Sequence, residues 1–510
     1  MKIIPLPYSC KTSTGILTVK KIPLSLDNYM SDLKNLGVNF EIVPDLMIDD
    51  IKNPEAYTLD IDNNGISVKA SSQQGILYAY TTLCQLLFNY DFNIPFCSIK
   101  DYPRFAYRGF MLDVGRYFMP LPQIKKLVDL CVYHKINKFH IHITEDQGWR
   151  MEIKKYPLLT LKGSIRKGTN FSRKKHSGFY TQTQLKELVA YCKEKNIELI
   201  PEIDMPGHTQ SALACYPYLS CFDRNLNVAH HWGVKHDIMC AGKESTFEFV
   251  KNVLDEVCDV FESDYIHVGG DEAPKTRWKL CPHCQQRIKD ENLKNEEELQ
   301  SYFTNRVYEY LKSKGKKAVM WNEASPTGIT NKEVIWQLWA YPENKESTFK
   351  EFDEGRQYIN SDSMKCYLDL PEKTVSLKSS YEFNPVITND KSRLVGVEAC
   401  LWSEYVPDYK KALHMTLPRL SALSEVMWTD IDESQKDYRA FLKRLDSHTM
   451  YLLDKGYPTT SYSNSVLNKT RQFFEFIWFN RRPLHWEGLH ILKDNKKVAK
   501  LAKKLNKKNK

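Results

Sequence analysis

The apolar positions of this chain change period as it is read from the N-terminus. Residues 56–62, AYTLDID, and 63–71, NNGISVKAS, alternate apolar and polar side chains around a turn at Asn63–Gly65, which predicts a β-hairpin. The run that follows, QQGILYAYTTLCQLLF (73–88), spaces its apolar residues at helical period. Together these predict a small α/β unit over residues 1–103. Past the link DYPRFAYRG the pattern becomes short apolar strands separated by amphipathic helices. Eight strand-like runs occur in order: YRGFMLDV, NKFHIHIT, IELIPEI, YIHVGG, KAVMWNE, VIWQLW, KCYLDL and VGVEACLW. Helical periodicity falls over 121–135, 183–196, 244–262 and 294–313, and is weaker after strands five to seven.

Eight strand–helix repeats predict an α/β architecture, a (β/α)8 TIM barrel over 104–455, preceded by the small α/β accessory domain. An open doubly wound sheet would carry a glycine-rich phosphate loop, and no GxGxxG run follows any of these strands. Residues 456–510 read as a C-terminal extension ending in a lysine-rich tail.

Charge changes this picture little. The formal net charge is +9, yet residues 493–510 hold nine Lys against one Asp, a net of +8 that leaves +1 for the other 492 residues. A nucleic-acid footprint is therefore absent from the body of the chain, and the tail is expected to be a solvated terminus. No apolar run reaches the ~18 residues of a membrane span, and the first residues, MKIIPLPYSC, lack the apolar core of a secretory signal. Thirteen cysteines, several inside predicted helices and strands, read as reduced buried side chains, so a cytoplasmic setting is expected.

Candidate chemistry gathers at one end of the barrel. Arg116 follows strand one, Glu145 and Asp146 follow two, His208 follows three, and Asp271 with Glu272 follows four. Trp321, Trp339, Tyr367 with Asp369, and Trp402 with Glu404 follow strands five to eight. The C-terminal strand ends of such a barrel form one mouth, so these residues are expected to share a site. In HVGGDE, strand alternation would send Asp271 and Glu272 to opposite faces. Gly269 and Gly270 just before them let the backbone leave strand geometry, so both carboxylates can converge on one ligand.

The order and spacing of RGFMLDVGRYF, HIHITEDQGWRMEIKKYP, IPEIDMPGH, HVGGDEAPKTRW, MWNE, WQLW, YLDL and EACLWSE resemble the β-N-acetylhexosaminidases of glycoside hydrolase family 20. The resemblance covers about 104–430, and residues 56–90 resemble the family's N-terminal accessory domain. It implies an exo-acting, retaining enzyme that removes terminal GlcNAc or GalNAc with no cofactor and no metal. In this family the substrate's own 2-acetamido oxygen attacks C1 and forms an oxazolinium ion. Glu272, protonated, would then be the general acid and later the base, and Asp271, ionised, would orient the acetamide. Arg116 and Glu404 would clamp sugar hydroxyls, and Trp321, Trp339 and Trp402 would box the acetamido methyl. Tyr367 would bind the acetamide oxygen, and Asp369, ionised, would accept a hydrogen bond from the 6-hydroxyl and disfavour a 6-sulfate. His208 and Glu145 would support Glu272 from behind. The chain departs from the family's usual DDQGW in having EDQGW, which puts Glu145 where an Asp is common.

Other readings remain. A catalytically inactive sugar-binding barrel would keep the clamp but has no use for a proton donor. A metal-dependent amidohydrolase is suggested by the HxH pair His140 and His142, although strand one carries no histidine. Cys281 and Cys284, in CPHC, resemble half a zinc site with no second pair near in sequence, and read as a structural loop or a local redox pair. Trp336 reads as core.

Overall fold

The computed structural model describes residues 1–169, 174–324, 328–340, 345–459 and 494–503. Most of the C-terminal extension therefore lies outside the described residues. Eight parallel strands close into a barrel: β1 (Tyr107–Asp113), β2 (Lys138–His142), β3 (Glu198–Glu202), β4 (Tyr265–His267), β5 (Lys317–Trp321), β6 (Ile335–Leu338), β7 (Tyr358–Asn360) and β8 (Leu394–Leu401). β8 pairs with β1, from Gly396 opposite Tyr107 to Leu401 opposite Leu112, and this closes the ring. Helices Leu121–Tyr133, Gln182–Glu194, Glu244–Val260 and Glu296–Ser313 cover the outside as the periodicity predicts.

One strand is not where the sequence pattern puts it. KCYLDL is not β7: residues Ser363–Cys366 form a short helix, and the strand is the three-residue YIN before it. The chain then turns back, and Tyr367 bridges Cys400 while the Leu368 amide donates to the Cys400 carbonyl at 2.8 Å. Tyr367 and Asp369 therefore reach the mouth along the end of β8 rather than from a strand of their own.

The N-terminal domain is a five-stranded sheet in the order Ser9–Thr18, Asn93–Asp101, Tyr57–Asp62, Gly65–Ala70, Asn39–Ile42. The 57–62 and 65–70 strands form the expected hairpin. Helix Gln73–Asn89 is buried on nearly all sides because it lies between this sheet and the barrel. Two buried cations of the barrel find their partners in the accessory domain. Arg108 of β1 makes a forked pair with Glu55 at 2.7 and 3.0 Å, and Lys135 meets Asp101 at 2.7 Å.

The tail departs from expectation where it is described. Residues 494–503 are helical, Val498 is fully buried, and Asp494 bridges Arg277 at 2.6 Å and Arg224 at 2.9 Å. Apolar burial and a paired carboxylate hold this segment against the barrel despite its lysines.

Candidate active site

The turn after β4 sets the geometry. Gly269 and Gly270 have φ of +66° and +99°, and a Cβ on Gly269 would sit 1.8 Å from Asp204 Oδ1. Glu272 itself has φ 43°, a left-handed conformation uncommon for a side chain of its size. The strand alternation is thereby broken, and both acids turn to one place. Asp271 Oδ2 and Glu272 Oε2 each lie 3.6 Å from the same atom, Nε2 of His208. That is ion-pair distance, beyond a hydrogen bond.

His208 is fixed from behind. Its Nδ1 faces Glu145 Oε1 at 2.8 Å, so the longer side chain at position 145 does reach it. The other oxygen of Glu145 lies 3.0 Å from Arg116 Nη2 and 3.2 Å from His142 Nε2. Arg116 Nη1 donates to Asp113 at 3.1 Å, and its Nε stands 3.4 Å from Glu404 Oε1, with the guanidinium over the Trp402 ring at 4.9 Å. Glu145 thus ties the Arg116–Glu404 pair to His208 and, through it, to Asp271 and Glu272.

Electrostatics here follow burial and charge. Burial pushes Asp271 up to about 6 against the pull of His208. Glu272, whose side chain is 42% exposed, is held below its ordinary value by its contact with His208. Although burial opposes it, His208 is raised well above the usual imidazole range by Glu145 and Asp271. The resting chain therefore carries its proton on His208, with Glu272 ionised. Near pH 7 Asp271 is ionised, as expected from sequence, but Glu272 is ionised as well: the raised acid of the pair is Asp271, because it is the more buried of the two.

The aromatic residues assemble. Trp321, Trp402, Trp339 and Tyr367 pack as one cluster with Met111 and Cys400. Trp339 and Tyr367 lie 6.1 Å apart and 14° from parallel, and Trp321 stands 5.6 Å from Trp402. Trp321 is anchored by its Nε1 donating to Glu202 Oε1 at 2.9 Å. Asp271 Oδ1, Trp339 Nε1 and Asp369 Oδ1 are buried with no hydrogen-bond partner among the described residues. Buried polar atoms left unpaired are costly, and a ligand with donors and acceptors would satisfy them. Asp369 differs from expectation. Burial and the Glu404 charge push its carboxyl up to about 8, so it is neutral at pH 7 rather than ionised.

Two further groups were not singled out from sequence. Glu202 and Asp204 end β3 in IPEID, a pattern that shows apolar alternation but not which acid points inward. Glu202 gathers His142 at 2.6 Å and both His140 and His267 at 3.1 Å, while His140 also meets Glu398 at 2.8 Å. The HxH pair is thus engaged by carboxylates inside the barrel. Glu323, in MWNE, accepts from the Glu272 amide at 3.2 Å and so fixes the turn. Trp336 packs on Phe352 away from the mouth, as core.

Residues 105–431 match the catalytic domain of glycosyl hydrolase family 20, and residues 23–102 match domain 2 of the same family. A Beta-hexosaminidase of Porphyromonas gingivalis is 40% identical over 77% of this chain, and the matched stretch spans 53% of that protein. One from Akkermansia muciniphila is 32% identical over 79% of this chain and 84% of its own length. A crystal structure of a β-N-acetylhexosaminidase superposes with a TM-score of 0.80 at 29% identity, covering 90% of this chain and 97% of that one. A Streptomyces plicatus β-hexosaminidase mutant in complex with GlcNAc superposes at 0.74 with 26% identity, over 90% and 96% of the two chains. With its catalytic barrel and its second domain both matched in order, this chain belongs to glycosyl hydrolase family 20.

Proposed function

We propose that the protein is an exo-acting, retaining β-N-acetylhexosaminidase that removes terminal GlcNAc or GalNAc by substrate-assisted catalysis. The observation that carries this reading is the convergence of Asp271 and Glu272 on one nitrogen of His208 at the barrel mouth. Two carboxylates this close together suit an acid and an orienting group, with the nucleophile supplied by the substrate.

In this reading the sugar ring sits against Trp402, its hydroxyls held by Arg116 and Glu404, and its acetamido group enters the box of Trp321, Trp339 and Tyr367. The acetamide N–H donates to Asp271, which favours the ionised form of that carboxyl. The leaving oxygen covers Glu272 and strips it of water, which favours its protonated form. Binding therefore moves the proton from the His208 side of the site to Glu272, and restores the distribution that the reaction needs. Glu272 then protonates the leaving oxygen as the acetamide oxygen attacks C1, and later takes a proton from the water that opens the oxazolinium.

The test is turnover of an aryl β-N-acetylglucosaminide beside the plain aryl β-glucoside. Cleavage of the first and not the second is expected. Comparable rates on both would overturn the substrate-assisted mechanism and require a nucleophile from the protein.

Asp369 gives a pH-dependent selectivity. If it lies against the 6-hydroxyl, its neutral form can donate to that hydroxyl or to a 6-sulfate, whereas its ionised form repels the sulfate. Because its carboxyl titrates at about 8, preference for the neutral sugar should be small at pH 6–7 and grow as pH rises through 8. The ratio of kcat/KM for neutral and 6-sulfated aryl substrates measures this. A ratio that stays flat in the wild type, or that still rises in Asp369→Asn, would remove Asp369 from this role.

A further inference from the structure

The CPHC pair does not stand alone once the chain is folded. Cys221 and Cys240, from the long segment between β3 and β4, meet Cys281 and Cys284, and all four sulfurs lie within 4.8 Å of one another. We propose that Cys221, Cys240, Cys281 and Cys284 form a closed tetrathiolate site that holds one structural zinc ion.

The spacing of the sulfurs supports a metal. Four ligands at a Zn–S distance of about 2.3 Å define a tetrahedron with edges of about 3.8 Å. The observed edges include 3.5 Å for Cys240–Cys284, 3.7 Å for Cys240–Cys281 and 3.9 Å for Cys221–Cys284. A disulfide would draw one pair to about 2.05 Å and leave the others apart. Here Cys240 is nearly equidistant from both members of the CPHC pair, and all four residues are buried.

The backbone around the cluster is arranged to deliver the four side chains. Ser220 and Met239 form an antiparallel bridge, and the Cys240 amide donates to the Leu219 carbonyl at 2.8 Å, which sets Cys221 and Cys240 on adjoining segments. Cys281 caps helix Pro282–Asp290, and Cys284 sits in its first turn. Gly242 lets the two halves close, since a Cβ there would lie 2.2 Å from the His283 carbonyl carbon and 2.4 Å from the Cys284 nitrogen. The same segments are joined beside the cluster by Arg224 and Arg277, which both contact Asp237 and Asp494.

Binding converts four thiols to thiolates and releases their protons, with no redox change. With four protein ligands the ion has no open position, so it takes no part in hydrolysis. Its effect is mechanical. It ties the segment that follows His208 to the loop that follows Asp271 and Glu272, the two loops whose separation sets the 3.6 Å contacts at the mouth.

The full chain, purified under reducing conditions without added metal, should carry about one zinc per chain by elemental mass spectrometry, as a four-ligand site requires. Zinc should fall to background in Cys221→Ser and Cys284→Ser, and stay in Cys131→Ser, whose thiol is buried elsewhere. Growth in cobalt should give the wild type the strong visible d–d bands and near-ultraviolet thiolate charge-transfer bands of a tetrahedral sulfur site. That readout stands even if the serine variants fail to fold. Wild type that contains neither zinc nor these cobalt bands would overturn the proposal. So would iron in the site, disulfides among these four residues, or zinc retained in Cys221→Ser.

Discussion

Replacing Glu272 by Gln is expected to lower kcat/KM by ~10²–10⁴-fold on N-acetylhexosaminides with poor leaving groups, the usual worth of a positioned general acid. Gln keeps the size of the side chain and its place beside His208 but cannot release a proton. Aryl substrates whose phenolate leaves readily need less help, so the loss should shrink as the leaving group becomes more acidic. The measurement is a series of aryl N-acetylglucosaminides assayed with both proteins. The slope of log kcat/KM against leaving-group pKa should be steeper in the variant. Parallel lines would mean that Glu272 does not protonate the leaving oxygen.

Asp271→Asn should cost roughly 10²–10³-fold, comparable to removing one preorganised group that stabilises transition-state charge. Here the loss should be the same for good and poor leaving groups, because the proposed mechanism sets Asp271 against the acetamide and not the leaving oxygen. The pH dependence adds a second readout. Asp271 is pushed up to about 6 by burial, so kcat/KM of the wild type should fall as pH drops below about 6 and this carboxylate gains its proton. Asn cannot titrate, and that inflection should vanish from the variant's profile. An acidic limb that persists unchanged near 6 would assign it to another group. Asp146, raised to about 6 by burial and the Glu145 charge, would then be examined next.

Much of this was legible in the sequence because barrel periodicity is long-range and redundant. Seven of the eight strands are heralded by apolar runs, and the residues that end them face one mouth whatever the details of pairing. β7 was missed for a local reason. YIN is too short to display a period, while the alternation in KCYLDL comes from a chain that runs beside β8 without being a barrel strand. Glu145 was legible as a link to His208, but not as a partner of Arg116, because that contact depends on which way two β-strand ends splay. Protonation could not be read from adjacency. The pair Asp271–Glu272 predicts that one acid is raised, and only burial decides which. Cys221 and Cys240 carried no sequence signal, being separated from each other and from CPHC by long irregular segments.

The forked Glu55–Arg108 pair and the buried Lys135–Asp101 contact bear on how such a protein can be recombined. Each places a barrel cation, fully removed from water, against an anion of the accessory domain. A barrel joined to an accessory domain that covers both cations but lacks Glu55 and Asp101 would leave their charges unpaired, and each such buried charge costs about 3–5 kcal/mol. Two such penalties rival the whole stability of many domains. The accessory domain is thus not a detachable module but a supplier of counterions, and chimaeras within the family should respect that boundary by exchanging both parts together.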